Sequence, residues 1–198
     1  MKILAVGDLH GDLMQARKLA SLAEKEGVDL VVLNGDVSFS DRLTPNLIKA
    51  FKDKVKNIAL LPGNHESLAT SEALVKRYGL IDLHGYYARF GDVGVFGCGA
   101  ANIGIFQLKE KEIYDVLKRA HNEVKDCRKK VMLTHMHPAG TKVEMDFFPG
   151  STAIAKAIKS FKPDFAICSH IHEADGIEDK LGATKVICAS KKGRIIEI

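Results

Sequence analysis

The chain of 198 residues has no tryptophan, five prolines, four cysteines and 7% aromatic residues. Cys98, Cys127, Cys168 and Cys188 are scattered, with no C-x-x-C pair. That spacing excludes a zinc knuckle and offers no disulfide frame. It predicts reduced, mostly buried thiols in a cytoplasmic protein. Long hydrophobic runs are missing as well. After Met1-Lys2 the apolar stretch extends only from Ile3 to Val6, too short for a signal-peptide core or for a membrane span of about 20 residues. An excess of one charge is also lacking. The 29 Lys and Arg against 25 Asp and Glu leave +4 with His neutral, and basic runs are short, as in Arg128-Lys129-Lys130. The composition therefore predicts no nucleic-acid partner and no membrane association. Repeats, low-complexity tracts and Pro/Ser-rich linkers are absent, so residues 1–198 read as one domain.

What is present is globular: 46% hydrophobic and 27% charged residues, enough for one sizeable core. Buried strands are expected at Ile3–Val6, Leu30–Leu33 and Ile58–Leu61. Between them, Leu13–Glu26 carries apolar residues at helical spacing and Gly27 supplies a stop. Thr44-Pro45 has the form of a cap and first-turn proline, and Ser67 can cap a helix running to Tyr78. This β-α-β-α-β order implies parallel pairing. Tyr86–Phe90 and Val93–Phe96 flank Gly91-Asp92 and predict an antiparallel hairpin, followed by a Gly-rich loop over 97–104. A charged helix is expected over Lys109–Cys127, strands at Val131–Leu133 and Phe165–Cys168, and a Ser151-capped helix to Phe161. Val186–Ala189 and Ile195–Ile198 are expected to close the sheet as a pair. The whole predicts an α/β protein with two mixed sheets packed together and helices outside.

Polar residues gather where five of these strands end: Gly7–Asp12, Asn34-Gly35-Asp36, Gly63-Asn64-His65-Glu66, Thr134-His135-Met136-His137 and Ser169-His170-Ile171-His172. Ligand sites in such sheets lie outside the carboxyl ends of strands, and six of the eight histidines fall there. Asp-x-His and His-x-His spacing puts both side chains on one side of an extended segment. Imidazoles, carboxylates and one amide, without thiolate, suit Mn, Fe, Zn, Ni or Co. Seven donors exceed one tetrahedral centre and suit two ions with a bridging carboxylate, an arrangement able to generate hydroxide near neutral pH and to neutralise a phosphoryl group.

In this order the segments resemble the calcineurin-like metallophosphoesterase superfamily, whose pattern is D-x-H, GD, GNH[DE], H and GHxH. Here it stands as Asp8-Leu9-His10, Gly35-Asp36, Gly63-Asn64-His65-Glu66, His135 and Ser169-His170-Ile171-His172, spanning nearly the whole chain. The resemblance implies a four-layer α-β-β-α sandwich. It implies that Asp8, His10 and His172 hold a first divalent ion and Asn64, His135 and His170 a second, that Asp36 bridges them, and that His65 assists the leaving group. Manganese is the first expectation. The implied activity is hydrolysis of a phosphodiester or phosphomonoester of small size, with hydroxide held by the metals as the nucleophile. The C-terminal half, with Pro138–Lys142 and Ile167–Gly176, is similar to small phosphoesterases related to class III cyclic-nucleotide phosphodiesterases. It departs from them in Ser169, which replaces the usual Gly, and in Cys188-Ala189-Ser190-Lys191, which stands in place of an Asn-Pro-Gly turn. Pro62, where protein phosphatases carry Arg, speaks against a phosphoprotein substrate.

Plainer roles compete at several positions. Asp12 reads as a helix cap and Glu66 as an acid favouring the next helix N-terminus. His137 competes with His135 for the metal, with His135 preferred as the first residue after its strand. Gly150-Ser151-Thr152 reads as a cap before it reads as a phosphate site. Lys142 is expected in solvent, and His84 and His121 at the surface or in the core. The rival functions are a non-catalytic scaffold, against which His65 and the complete ligand set speak, and a metal-dependent nuclease, against which the absence of extra DNA-binding segments speaks.

Overall fold

The computed structural model describes residues 1–198. The elements run β1 (Lys2–Val6), α1 (Leu13–Lys25), β2 (Leu30–Asn34), α2 (Leu47–Lys52), β3 (Ile58–Leu61), α3 (Leu68–Tyr78), β4 (Ile81–Asp82), β5 (Tyr87–Phe90), β6 (Val93–Cys98), α4 (Glu110–Asn122), β7 (Lys129–Thr134), α5 (Thr152–Phe161), β8 (Phe165–Cys168), a 3-10 turn (His172–Ala174), β9 (Glu178–Leu181), β10 (Thr184–Cys188) and β11 (Arg194–Glu197). One sheet has the order β11-β1-β2-β3-β4 and the other β5-β6-β7-β8-β10-β9. The inner strands of each are parallel, and β11, β5 and β9 lie antiparallel at edges. Both sheets are therefore mixed, as expected.

Alternation along the strands creates the layers, because successive side chains point to opposite faces. Ile3, Ala5, Leu30, Val32, Ala59 and Leu61 of the first sheet meet Val131, Leu133, Ile167 and Ile187 of the second in a buried layer between the sheets. The intervening residues Leu4, Val6, Val31, Leu33, Ile58 and Leu60 pack with residues of α1, α2 and α3. Met132, Ala166, Cys168, Val186 and Cys188 pack with α4 and α5. Strands covered on both faces read as unbroken apolar runs. The result is the four-layer α-β-β-α sandwich. All four cysteines are buried and free. No helix is long and apolar enough to cross a membrane.

Local signals set most boundaries. Asp12 caps α1 by accepting the Gln15 N–H, and Ser67 and Ser151 cap α3 and α5 in the same way. Three expectations need correction. First, α2 does not open at Thr44-Pro45. Asn46 precedes it with φ 66° and no side-chain cap, and this left-handed residue separates Pro45 from the helix. Burial of Leu47, Ile48 and Phe51 places α2 instead. Second, α4 ends at Asn122, short of Cys127. Arg89 of β5 donates from Nε to the Glu123 carbonyl at 3.0 Å, which satisfies a terminal acceptor. Third, the closing strands do not pair with each other: β10 lies beside β8, and β11 crosses to the other sheet beside β1. In addition, β4 and β9 carry no pattern that announces them in the sequence. The former has two residues, and the latter is a half-exposed charged edge.

Candidate metal centre

The parallel strands β1, β2, β3, β7 and β8 all deliver their C-terminal loops to one edge of the sandwich. Backbone hydrogen bonds stitch these loops together. Asp8 N–H donates to Gly35 O at 3.0 Å, His10 N–H to Asp36 O at 2.8 Å and Ser169 N–H to His135 O at 2.9 Å. Asp8, His10, Asp36 and His170 have φ of 54°, 44°, 52° and 72°. Non-glycine residues occupy this left-handed region rarely, and its strain concentrates at functional sites. Two glycines permit the close approach. A Cβ on Gly35 would collide with the His135 ring, and one on Gly63 with the Asp36 carboxylate.

All seven expected ligands come together. Asp8, His10 and His172 form one group whose ligand atoms lie within 4.8 Å of one another; Asp36, His135 and His170 form another; and His10, Asp36 and His65 link the two. Asp36 Oδ2 stands 3.8 Å from His10 Nε2 and 3.4 Å from His135 Nε2. Asn64 Oδ1 is 3.1 Å from His135 Nε2. Asp8 Oδ1 lies 3.7 Å from His172 Nε2. Two rings are aimed from behind: His10 Nδ1 contacts Ser38 O at 3.2 Å and His135 Nδ1 contacts Asn34 O at 2.9 Å. A carbonyl only accepts, so each Nδ1 carries a hydrogen and each Nε2 faces the site, the orientation that metal-ligating histidines share.

The electrostatics fit bound cations. Burial opposes ionisation of Asp8 and Asp36, yet His172 and His135 hold Asp8 below the usual carboxylate range and His135 does the same for Asp36. Against its burial, the Asp36 carboxylate pushes His135 up to about 9. Burial and the neighbouring His135 push His170 down to about 3. Asp8 Oδ1 is buried without a hydrogen-bond partner, and His10 Nε2 faces His172 Nε2 at 3.4 Å. A buried carboxylate oxygen without a donor is costly on its own, and the two imidazole nitrogens stand close enough to share one hydrogen or one ion. Divalent cations between them would satisfy both, and the donor set of four imidazoles, two carboxylates and one amide matches such ions.

His65 sits at the rim of this cluster. Its N–H donates to Asp36 Oδ1 at 2.8 Å. Its ring lies 5.0 Å from His10 edge-on and 4.8 Å from Phe39, centroid to centroid.

Several supporting residues were not assigned these roles by sequence. Glu66 does not act at a helix N-terminus. Its buried carboxylate accepts from Asp36 N–H at 2.8 Å, Gly63 N–H at 2.9 Å, and Ser38 N–H and Oγ–H at 2.7 Å each. It therefore pins the loops that present Asp36 and Asn64. Burial and then Asp36 push its pKa up, against the pull of these donors. Asn34 donates from Nδ2 to Thr134 O at 2.9 Å and Ser169 Oγ at 2.8 Å, tying the first sheet to the second. Ser169 is accommodated outside the left-handed region, and its hydroxyl donates to Ala189 O at 3.0 Å. Ser190 Oγ–H donates to Asp8 Oδ2. A buried polar residue at a strand end is the signal these share, but nothing in their spacing names the partner.

The residues with competing roles make the following contacts. His135 faces Asp36, whereas His137 Nε2 donates to Phe148 O at 3.1 Å. Ser151 caps α5, and the Glu110 carboxylate fills that helix start by accepting from Ser151 Oγ, Thr152 Oγ1 and Ala153 N–H. His121 stacks on Phe161 at 4.5 Å, and His84 accepts from Gly99 N–H at 3.1 Å. Lys142 is exposed.

Two packed mixed sheets with carboxylates, imidazoles and an amide converging at their common edge define a metallophosphatase-type fold with candidate metal ligands. The chain belongs to the calcineurin-like phosphoesterase family, whose model matches residues 1–174. No curated protein sequence matches it. Among solved structures it is similar to TT1561 of Thermus thermophilus, at 20% identity over 98% of this chain and 97% of that one, with a TM-score of 0.78. It also resembles an archaeal phosphodiesterase, at 19% identity over 99% of both chains with a TM-score of 0.59. A dimetal phosphatase from Danio rerio matches at 12% identity over 96% of this chain and 87% of that one, with a TM-score of 0.68. At these identities the likeness is one of fold.

Proposed function

We propose that the protein is a phosphoric ester hydrolase dependent on two divalent ions, acting on a small phosphodiester or phosphomonoester. The observation that carries this reading is the position of Asp36, whose carboxylate belongs both to the group with His10 and to the group with His135 and His170. Asp8, His10 and His172 would hold one ion, Asn64, His135 and His170 the other, and Asp36 would be shared. Manganese is the first candidate, with Fe, Zn, Ni and Co fitting the same donors. Such a pair of ions supplies Lewis acidity, drawing charge from the phosphoryl group and acidifying water.

The chain's own residues do the rest. Glu66 and the Asp36–His65 backbone contact fix the loop that carries His65. His65 stands beside the ligand cluster and gives a proton to the departing ester oxygen. A positioned His acid contributes a factor of about 10² to 10⁴. Metal analysis is expected to find two ions in the wild type and fewer in Asp36→Asn. The variant His65→Ala should keep both ions and lose about 10²- to 10⁴-fold in turnover of alkyl phosphate esters, whose alkoxide leaves only with a proton, and much less on 4-nitrophenyl esters, whose phenolate leaves without one. Wild-type rates on the alkyl esters in that variant would remove His65 from the mechanism. A metal-loaded wild type inert toward every mono- and diester would leave the scaffold reading.

A further inference from the structure

We infer that the ester this site receives carries an apolar arm beside a single phosphate; this rests on the hydrolase reading above. Three exposed apolar segments surround the ligand cluster, each tied to a different site residue. Phe39, 56% exposed, follows the Asp36 turn and packs its ring 5.8 Å from His10 and 4.8 Å from His65. Ile103 and Ile105, 45% and 57% exposed, flank Gly104, whose position against the Asn64 side chain leaves no room for a Cβ. The neighbouring Phe106 N–H donates to Asn64 O at 3.1 Å, fixing that loop to the site. Phe148, 45% exposed, is held through its carbonyl by His137, whose ring stacks on His170 at 6.2 Å.

Exposed apolar side chains scattered singly are ordinary, but a cluster at a polar cleft marks a binding surface. The charge pattern points the same way. Residues 97–107 contain no charged side chain, and 143–150 contain only Glu144 and Asp146. On the β1 side, Lys191 is paired with Asp12 at 2.9 Å. Of the segments 37–45, 97–107 and 138–150, the first and last carry one cation each, Arg42 and Lys142, and the middle one none. A polyphosphate or a nucleic-acid strand needs several cations along its path, whereas an ester with one phosphate and an apolar arm leaves its charge to the metal centre. Phe39 is then a specificity-determining residue, and Ile105, from a separate loop, serves the same arm.

Two measurements test this. Methyl and hexyl 4-nitrophenyl phosphate share one leaving group, so kcat/KM on the pair reports the other arm alone. A methylene withdrawn from water is worth about fourfold; over five methylenes against an open rim, a preference of at least about tenfold for hexyl is expected. Phe39→Ala and Ile105→Ser should each cut the hexyl-to-methyl ratio at least about threefold, whatever happens to the rate on either ester. Calorimetric titration of the metal-loaded protein with methyl- and hexylphosphonate, which cannot be hydrolysed, should give the same order of affinity. Equal phosphonate affinities, or a flat kcat/KM ratio with active enzyme, overturn the inference and leave the hydrolase reading intact. A hexyl preference in binding with no ester turned over overturns the hydrolase reading instead and supports the rim assignment.

Discussion

His84 illustrates how far one side chain's chemistry depends on where the chain puts it. Its Nδ1 accepts from Gly99 N–H, and burial, with the Arg119 guanidinium, pushes its pKa down to about 4. The unfolded chain takes up that proton near pH 6.5. Between the two values the unfolded state binds a proton that the native state refuses. The contribution to stability is thus complete above about pH 6.5, falls as pH drops towards 4, and levels off below; it amounts to at most about 3 kcal/mol. His84→Asn retains a nearby acceptor and cannot titrate. Urea unfolding at matched metal content should show a smaller loss of stability between pH 7 and 4.5 in the variant than in the wild type. Equal losses would show that His84 is not the titrating group. Asp12 and Glu66 make the complementary contrast. Asp12 bonds three residues ahead, a distance any helix start supplies, and its role was readable. Glu66 bonds back to Asp36 and Ser38, about 30 positions away in the chain, and no local rule announces that.

At the scale of elements, the start of α5 is completed by the start of α4. Glu110 accepts from Ser151, Thr152 and Ala153 through Oε2 and from Asn102 Nδ2 at 2.7 Å through Oε1. Although burial opposes it, this donor set, led by Ala153 N–H, holds its pKa below the ordinary value. A carboxylate at a helix N-terminus also meets the favourable end of the dipole. One side chain thereby fastens two helices and the loop over 97–107 that borders the site. Glu110→Ala should cost about 1–3 kcal/mol in denaturant unfolding and speed amide exchange at Ala153. A loss under about 0.5 kcal/mol would mean water replaces the carboxylate without penalty. The same contact excludes a substrate phosphate from this helix start, because a negative group already occupies its donors.

Across the whole molecule, the candidate metal centre straddles the two sheets. Asp8, Asp36 and Asn64 follow strands of the first sheet, His135 and His170 follow strands of the second, and the layer between the sheets sets their separation. Leu133, fully buried in that layer, and Leu74, on the buried face of α3 in the outer cluster, offer a comparison. Either change to Ala removes similar apolar volume and should cost about 2–5 kcal/mol. Only Leu133→Ala should also weaken metal binding in a competition titration, because it alone loosens the alignment of the sheets at the ligand edge. Equal metal affinity in both variants would separate the inter-sheet packing from the site.

The sequence by itself determined the buried strands, the capped helices α1, α3 and α5, the hairpin, and the gathering of seven candidate ligands and His65 past the strand ends. Each follows from short-range regularities: apolar runs, a cap bonded to an amide three residues on, and donors placed just past strand ends. Only the tertiary structure decided that Ile195–Ile198 crosses to β1, that α2 begins after a left-handed Asn46, that His137 turns to Phe148, and that Glu110 and Glu66 close distant loops. Those outcomes depend on packing and hydrogen bonds between residues far apart in the chain, where a partner is selected by geometry that no local pattern encodes.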